Sequence, residues 1–358
     1  MRLLFFSINL LISFNLSFSQ TLKLELSKKN KVPTNIILMI ADGAGLSQIT
    51  ASMYKNENKS NLENFKVIGL QKTHSENSLI TDSAASGTAM ACGIKTVNGA
   101  IGVDSKNRSY QSILKICEKK GYNSGMIVTS SIVHATPACF YANVISRANY
   151  QEIAHQLSES QVDFFIGGGE KHFIKRNDKK NLITEMKDWE FVNGLDQFDS
   201  STSTKVGYFI SYGEPPSLIE GRKPRLDIGL NSMLKKLNSL NEPFFLLVEG
   251  SQVDWGGHDN DLEYITSEYI EFDRAIGVAL KFVNENPNTL VVVTADHETG
   301  GLGITSKYVE KLNSKVKFST KGHTASMVPV FSIGVGSKEF SGIYDNTEIF
   351  NKMMLQLK

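Results

Sequence analysis

Four apolar segments rich in β-branched residues limit the folds open to this chain more than any other feature. The segment "NIILMIAD" ends at Asp42, "FFLLVEG" contains Glu249 near its end, "TLVVVTADH" ends at Asp296 and His297, and "GMIVTSS" ends in hydroxyls. Apolar runs of this length are typical of strands buried on both faces, as in a parallel sheet. Open parallel sheets bind ligands just beyond the carboxyl ends of their strands. If these strands are neighbours, their acidic groups converge on one edge.

Helical patterns separate the apolar runs. Apolar residues recur at intervals of three and four in "DLEYITSEYIEFDRAIGVALKFV", behind acidic residues typical of a helix start, and a shorter pattern covers residues 109–120. The alternation of strands and helices predicts an α/β fold. Residues from about 170 to 225 are different because Lys, Asn, Asp and Ser dominate there. We interpret them as a polar excursion over the site, so that residues 20–358 are predicted to form a single domain.

The first residues, "MRLLFFSINLLISFNLSFSQ", have the layout of a secretory signal peptide. They combine an early Arg, an apolar core and small residues at Ser17 and Ser19, which predicts residues 1–19 as the cleaved segment. A buried strand is the alternative interpretation. No cysteine follows the core to accept a lipid, and no later run reaches about 18 apolar residues. We therefore expect an exported protein, periplasmic or secreted, without a stable membrane anchor.

Charge and cysteine content argue against two kinds of binding partner, nucleic acids and metals held by sulfur. The chain has 38 Lys and Arg against 37 Asp and Glu, and it has no long basic block, so a nucleic-acid-binding module is not expected. The three cysteines, Cys92, Cys117 and Cys139, lack a CxxC spacing. Their sulfur atoms are therefore not expected to bind a metal, although the three cysteines allow one disulfide.

Two motifs carry candidate metal ligands. In "VEGSQVDWGGHDND", Asp254 and His258 stand four residues apart, a spacing that can direct both side chains at one ion, with a solvated acidic turn as the alternative. In "TADHETGG", Asp296 and His297 follow a very apolar strand, where an unpaired buried carboxylate is costly. A helix N-cap is the alternative for Asp296. A further histidine, His323, precedes another apolar run in "KGHTASMVPVF".

The whole set of candidate ligands is too large for one zinc ion, which binds four ligands, and it favours a multi-metal centre. The set consists of Asp42, Glu249, Asp254, His258, Asp296, His297 and His323.

Two further motifs contain a candidate nucleophile and a candidate phosphate-binding residue. The stretch "TDSAASGTAMACG" contains four hydroxyls, of Thr81, Ser83, Ser86 and Thr88, beside one carboxylate, Asp82. In "HATPACFYANVISRANY", an Arg follows an apolar stretch at position 147. A guanidinium can bind two oxygens of a phosphate at once, although a surface role is the alternative.

Taken in order, "ADGAG", "TDSAASGTA", "HATPA", "SR", "EGSQVDWGGHDND", "TADHETGG" and "GHTASMVPVF" resemble the motifs of alkaline phosphatases. The resemblance extends from about residue 33 to about residue 335, and its motifs are specific in combination. It implies a doubly wound, mostly parallel sheet with helices on both faces and the active site at the carboxyl edge of the strands. It also implies hydrolysis of phosphate monoesters at alkaline pH.

The resemblance further implies two zinc ions and one magnesium ion. Position by position, the first zinc would be held by Asp254, His258 and His323, the second by Asp42, Asp296 and His297, and the magnesium by Asp42, Thr136 and Glu249. Ser83 would be the nucleophile, Arg147 would bind the phosphate, and Asp82 would orient Arg147.

Charge and chemistry agree with this assignment. Three divalent ions against four carboxylates leave a charge that a phosphate monoester dianion balances, which favours monoesters over monoanionic diesters. The second zinc would lower the pKa of Ser83, and the first would stabilise the departing alcohol oxygen and supply the water that cleaves the phosphoserine. Positioning and charge stabilisation are the main needs of phosphoryl transfer.

Two positions depart from the best-known bacterial members of the family. His134 stands where those members have an aspartate near the magnesium, and Trp255 stands where they have a lysine. Both residues are therefore candidates for the surroundings of the third metal and of the phosphate. The chain is also shorter than many relatives, so a homodimer is allowed but is not implied by inserted loops.

Two rival functions remain. A phosphodiesterase of the same superfamily would usually offer Thr as its nucleophile, and Thr81 is present, but the register of Asp82 and Ser83 favours a monoesterase. An exported protein that binds metal or phosphate without turnover is the second rival, and the complete set of ligands together with Ser83 argues against it.

Overall fold

The computed structural model describes residues 35–357, except for the side chains of residues 313 and 314. The predicted signal peptide, residues 1–19, lies outside the described residues. In chain order the strands are β1 Asn35–Ala41, β2 Val67–Lys72, β3 Asn123–Ser131, β4 Phe164–Gly168, β5 Glu190–Val192, β6 Val206–Phe209, β7 Phe244–Gly250, β8 Thr289–Thr294, β9 Glu298–Thr299, β10 Leu302–Ile304, β11 Val316–Phe318, β12 His323–Thr324, β13 Val328–Gly334 and β14 Gly342–Asp345.

The α-helices alternate with these strands. They are α1 Leu46–Lys55, α2 Ser83–Cys92, α3 Ile113–Lys119, α4 Ala135–Tyr141, α5 Tyr150–Ser158, α6 Lys171–Ile174, α7 Leu182–Glu185, α8 Leu195–Ser200, α9 Leu226–Ser239, α10 Val253–Asp259, α11 Leu262–Glu285 and α12 Thr347–Met354. Short 3₁₀ helices cover Asn61–Asn64, Val309–Ser314 and Ser337–Phe340.

Ten strands form one central sheet in the order β14-β2-β13-β8-β1-β7-β3-β4-β6-β5. All neighbours are parallel except β13, which runs antiparallel to both β8 and β2. The sheet is therefore mostly parallel, as predicted. The four apolar runs of the sequence form its centre, where β8, β1, β7 and β3 lie side by side.

Side chains of β1 show why both faces of the sheet are covered. Ile36, Leu38 and Ile40 belong to one buried cluster, which also contains residues of α2, α3, α4 and α12. Ile37 and Met39 belong to a second cluster on the other face, with residues of α1, α9 and α11. Alternate residues of a strand point to opposite faces, so a run that is apolar throughout requires a helical layer on each side. This confirms the doubly wound α/β architecture.

The region from about 170 to 225 differs in part from the expected excursion over the site. Its middle adds β6 and then β5 to the edge of the central sheet beyond β4. These two strands have only three and four residues, so they are too short for the apolar run that marks a central strand. The three cysteines of the chain are buried and form no disulfide. No helix among residues 35–357 combines the length and apolarity needed to cross a bilayer.

Candidate active site

The carboxyl edge of the central strands gathers most of the predicted site residues. Asp42 follows β1 directly, and Glu249 is the penultimate residue of β7. Asp296 and His297 follow β8 after a single alanine. Ile40 of β1 pairs with Glu249 of β7 on one side and with β8 on the other, so these strand ends stand at one level. The convergence expected from the apolar runs is present.

The most deeply buried cluster, called the inner group, consists of Asp42, Asp296 and His297. Nε2 of His297 lies 3.1 Å from Oδ2 of Asp296 and 3.5 Å from Oδ1 of Asp42, and all three side chains are 0% exposed. The backbone N–H of Gly43 donates to Oδ1 of Asp296 at 3.1 Å. Gly43 has a φ of +78°, and a Cβ there would lie 2.6 Å from Cα of Asp254, so this turn requires glycine.

Thr299 fixes which nitrogen of His297 carries a proton. Its hydroxyl donates to Oδ1 of Asp254 at 2.5 Å and lies 3.2 Å from Nδ1 of His297. The hydroxyl has one hydrogen, so Nδ1 must donate to it. A neutral His297 ring therefore directs an unprotonated Nε2 at two carboxylates, which is the arrangement of a metal ligand oriented by its other nitrogen.

Ser83 is the one hydroxyl of the "TDSAASGTAMACG" stretch that has a contact with a side chain of the inner group. Its Oγ is 3.3 Å from Nε2 of His297. The hydroxyls of Thr81, Ser86 and Thr88 each donate to a backbone carbonyl instead. Ser83 is the first residue of α2, so it lies at the positive end of the helix dipole, where an anion is stabilised.

The second cluster, called the outer group, consists of Asp254, His258 and His323. Nε2 of His258 lies 3.3 Å from Asp254 Oδ2, Nε2 of His323 lies 3.4 Å from Asp254 Oδ1, and the two Nε2 atoms are 3.2 Å apart. Nδ1 of His258 donates to the carbonyl of Lys321 at 2.5 Å, and Nδ1 of His323 donates to that of Thr81 at 2.8 Å. Each ring is thus held by Nδ1, so its Nε2 faces the carboxylate of Asp254 and becomes a free ligand nitrogen once it gives up its proton.

The third group consists of Asp42, His134, Thr136 and Glu249. Ligand atoms of Asp42, His134 and Glu249 lie within 4.8 Å of one another. Among the described residues, Oγ1 of Thr136, Oε1 of Glu249 and Nδ1 of His134 are buried without a hydrogen-bond partner. Thr136 is in the first turn of α4, where His134 is the N-terminal flanking residue, so one helix start supplies both side chains.

Arg147 and Asp82 form an ion pair beside these groups. Nη1 of Arg147 donates to Oδ2 of Asp82 at 3.1 Å, while Oδ1 of Asp82 accepts from the backbone N–H of Ala85 and caps α2. Nη2 of Arg147 lies 3.4 Å from Nε2 of His134. Burial, and then the charge of Arg147, lower the pKa of His134 to about 4, so this histidine is uncharged near neutral pH.

Trp255 contacts the same histidine on another side. The ring centroids of Trp255 and His134 are 6.0 Å apart at an interplanar angle of 73°, an edge-to-face contact. Trp255 follows Asp254 in α10, so it connects the outer group to the surroundings of Arg147.

The carboxylates of the site repel one another in the absence of cations. Burial, and then the charges of Asp296 and Asp254, raise the pKa of Asp42 well above its ordinary range. Burial raises the pKa of Glu249 to about 8. Among the described residues, both oxygens of Asp42 and Oδ2 of Asp296 are buried without a hydrogen-bond partner. Buried carboxylates without donors are costly, and divalent cations satisfy such oxygens, so these residues fit a multi-metal centre.

The sequence motifs did not single out every residue that orients the site. Thr299, whose hydroxyl joins Asp254 to His297, lies within the "TADHETGG" motif. Its position beside the predicted ligands Asp296 and His297 is the sequence feature that could have indicated its role. The backbone carbonyls of Thr81 and Lys321 have no signal in residue type, because any residue supplies a carbonyl. Gln252 is 0% exposed, and its amide donates to the carbonyl of Thr129 at 2.7 Å. It thereby holds the segment between Glu249 and Asp254 against β3.

Comparisons with known proteins agree with the fold and with the motifs. The family model for alkaline phosphatase matches residues 33–314. The chain is 34% identical over 350 residues to alkaline phosphatase 4 of Bacillus subtilis, covering 92% of this chain and 76% of that protein. It is also similar to the solved alkaline phosphatase of the Antarctic bacterium TAB5, with a TM-score of 0.86, 41% identity, and coverage of 92% of this chain and 98% of that one.

A His-to-Asp variant of the TAB5 enzyme, solved with magnesium bound in its M3 site, is equally similar, with a TM-score of 0.86, 41% identity, and coverage of 92% and 99%. The model match covers well over half of the chain, and the identity to a curated relative exceeds 30% over most of both proteins. The chain thus belongs to the alkaline phosphatase family, and it is a phosphoric monoester hydrolase.

Proposed function

We propose that the protein hydrolyses phosphate monoesters at alkaline pH through a covalent phosphoserine on Ser83, with two zinc ions and one magnesium ion. The outer and inner groups would each hold a zinc ion, and the third group would hold the magnesium. The observation that carries the proposal is the position of Ser83, with its Oγ 3.3 Å from Nε2 of His297 at the first residue of α2.

Protein groups would position the phosphate against Ser83. The guanidinium of Arg147 can donate to two phosphate oxygens, and Asp82 holds it in place through the 3.1 Å hydrogen bond. Ser83 is the first residue of α2, so a phosphate on it would lie at the helix end whose dipole favours negative charge. Asp82 is engaged with Arg147 and with the helix cap, so it is not available as a base for Ser83.

The metals, when bound, supply the positive charge that lowers the pKa of a nucleophilic oxygen and stabilises the departing one. The residues of the protein set the conditions for that chemistry. His297 is held by Thr299, His258 by Lys321 and His323 by Thr81, so the ligand nitrogens are aimed before any ion arrives. Preorganised groups of this kind need little rearrangement during the reaction.

A dianionic substrate suits the charge of the site. Three divalent ions against Asp42, Glu249, Asp254 and Asp296 leave two positive charges, which a phosphate monoester dianion balances. A diester carries one negative charge and would leave the buried site uncompensated. We therefore expect monoesters to be hydrolysed faster than diesters.

Magnesium at the third group is supported by chemistry and by one relative. Asp42, Glu249 and Thr136 offer oxygen ligands, which magnesium prefers. The His-to-Asp variant of the TAB5 enzyme contains magnesium in its M3 site. In this chain His134 remains a histidine and is neutral near pH 7, so we expect weaker magnesium binding than an aspartate at that position would give.

Export is the proposed location, on the basis of the signal-peptide layout of residues 1–19. The natural substrates would then be small phosphate monoesters outside the cytoplasm, and the product would be inorganic phosphate.

A rate comparison combined with metal analysis tests the function. Purified protein, freed of metal by a chelator and reloaded with Zn²⁺ and Mg²⁺, should hydrolyse p-nitrophenyl phosphate faster than bis-p-nitrophenyl phosphate. The reloaded protein should contain two zinc ions for each magnesium ion. Faster hydrolysis of the diester than of the monoester would support the rival phosphodiesterase function. No turnover of either substrate after full metal loading would exclude an enzyme of either kind.

A further inference from the structure

The segment that carries His323 is exposed on both sides of that residue. Lys321 before it and residues 325–327 after it are exposed, and His323 itself lies in β12, a strand of two residues. β12 pairs antiparallel with β9, which is equally short. A pair of strands is marginally stable by itself, so a pair of this length depends on side-chain contacts to stay together.

Glu298 makes such a contact, because it stands directly opposite Thr324 in the two paired strands. The hydroxyl of Thr324 donates a hydrogen bond to Oε2 of Glu298. Directly opposed residues are the pairs whose side chains stabilise a sheet. Glu298 is 5% exposed, so water competes little for this hydrogen bond. The residue next to Thr324 is His323, whose backbone is therefore held through Glu298.

The rest of the protein fixes Glu298 from its other side. Oε1 of Glu298 accepts from Nε2 of Gln48 at 2.5 Å and from the N–H of Leu302 at 3.2 Å. Gln48 is 0% exposed in α1, and its amide also donates to the carbonyl of Thr299 at 2.7 Å. A Cβ at Gly45 would collide with Cγ of Glu298, so the chain before α1 passes closely over this side chain. Glu298 thus connects β12 to a buried part of α1.

Other contacts orient the ring of His323 but do not hold its backbone. Nδ1 donates to the carbonyl of Thr81 at 2.8 Å, and the ring stacks on that of His297 with centroids 3.6 Å apart. Nε2 of His323 lies 3.4 Å from Oδ1 of Asp254. A metal ligand must be placed to within about 0.2 Å, so even a small separation of β12 from β9 would weaken metal binding by the outer group.

We propose that Glu298, held by Gln48, is a positioning residue for the zinc ligand His323. It sets the distance between β9, which follows the inner group in the chain, and β12, which carries a ligand of the outer group. This inference rests on the proposed function, because His323 is a ligand only if the outer group holds zinc.

The hydroxyl of Thr324 gives the most direct test. Thr324→Val removes it and keeps a β-branched side chain, which suits a strand. The outer group should then bind zinc about tenfold more weakly, since residues that orient metal ligands typically contribute 10- to 100-fold to metal affinity. Thr324→Ser keeps the hydroxyl and should bind zinc nearly as tightly as the wild-type protein. Competition with a chelator on the full chain measures these affinities.

Two variants of Glu298 test the same contact from the other strand. In Glu298→Gln the amide can donate to the hydroxyl of Thr324, which reverses the direction of the hydrogen bond and retains it. Glu298→Leu cannot form it. The glutamine variant should keep most of the zinc affinity, and the leucine variant should lose at least as much as Thr324→Val. If the leucine variant does not fold, the two Thr324 variants decide the question.

Two controls assign the loss to the outer group. In a His258→Ala background, which lacks the zinc of the outer group, adding Thr324→Val should leave the affinity for the remaining zinc unchanged. Thr305→Val makes the same substitution beside the other two-stranded sheet, where the hydroxyl of the exposed Thr305 donates to the carbonyl of Lys315 at 2.5 Å. It should bind zinc as the wild-type protein does.

Wild-type zinc affinity in Thr324→Val would overturn the inference, as would equal affinities in the leucine and glutamine variants of Glu298. A lower unfolding temperature of metal-free Thr324→Val without any change in zinc affinity would show a structural role alone and would also overturn it. These results leave the proposed function intact. If the wild-type protein binds no more zinc than His258→Ala, the proposed function fails, and the inference fails with it.

Discussion

The inner and outer groups contain similar residue types but are held in different ways. Asp42, Asp296 and His297 follow central strands and are fully buried, whereas His258 and His323 are partly exposed and are oriented by the carbonyls of Lys321 and Thr81. Burial makes the charges of the inner group strongly dependent on compensation, since water cannot reach them. In the outer group water reaches His258, which is 41% exposed, although Asp254 is only 7% exposed.

This difference suggests a division of roles. The inner group, which contacts Ser83, would position the proposed nucleophile, and its buried carboxylates favour a bound cation. The outer group is the more exposed of the two, and we propose that the alcohol portion leaves and water enters on its side. Thr299 joins the two, because its hydroxyl contacts both Asp254 and His297. The following predictions test how separate the two groups are.

The largest effect is expected from Asp42→Asn, because Asp42 belongs to both the inner and the third group. Loss of its charge should lower kcat/KM by at least about a thousandfold, which corresponds to roughly 4 kcal/mol of transition-state stabilisation. Metal analysis should show loss of bound ions as well as loss of rate.

Two comparison variants sharpen this result. His258→Ala, in the outer group, should lose zinc from that group and keep the metal of the inner group. Asp196→Asn, an exposed carboxylate on α8, should behave as the wild-type protein. If Asp42→Asn retained all three ions and near-normal rates, the inner group would not have the role assigned to it.

An intermediate effect is expected from Thr299→Val, which removes the hydroxyl shared by the two groups. Loss of a residue that orients a metal ligand typically costs about 10 to 100-fold in metal affinity or activity. Thr299→Ser keeps the hydroxyl and should restore most of both. Equal zinc retention and rates in the valine and serine variants would show that the two groups are held independently.

The smallest effect concerns the stability of the metal-free protein as pH rises. The pKa of Glu249 is raised by burial from 4.5 to about 8, so the folded protein keeps a proton that the unfolded chain loses, and this contribution disappears as pH rises through that window. The hydrogen bond that His258 donates to the carboxylate of Asp254 raises the pKa of His258 from 6.5 to about 9, and this contribution to stability is also lost as pH rises. Both groups favour the folded state at the lower pH.

Thermal unfolding of the metal-free protein should therefore occur at a lower temperature in alkaline buffer. We expect the midpoint to fall by more than about 5 °C between about pH 6.5 and about pH 9, above the range in which the lowered pKa of His134 acts in the opposite direction. Zinc and magnesium should remove most of this dependence, because bound cations replace the protons. A midpoint that rises over the same range would contradict the electrostatic description of the site.

The central part of the site could be predicted from the sequence because of how parallel sheets are built. Asp42, Glu249 and Asp296 each stand at the end of a long apolar run, and such runs become adjacent buried strands whose carboxyl ends meet. The resemblance to a family then suggested how the ligands divide into groups. The geometry brings together the residues of each group.

Other features were beyond prediction for physical reasons. Backbone carbonyls, such as those of Thr81 and Lys321, orient histidines without any sequence signature. Strands β5 and β6 have only three and four residues, too few to form a recognisable apolar run, and their pairing depends on tertiary contacts with β4.

The central claim is that Ser83 carries the phosphoryl group during turnover. Quenching the metal-loaded enzyme in acid during hydrolysis of p-nitrophenyl phosphate, followed by proteolysis and mass spectrometry, tests it directly. We predict phosphate on Ser83, none in the Ser83→Ala variant, and normal labelling in Ser86→Ala, whose hydroxyl donates to a backbone carbonyl. An active enzyme that carries phosphate on Thr81, or on no residue of the stretch, would contradict the account.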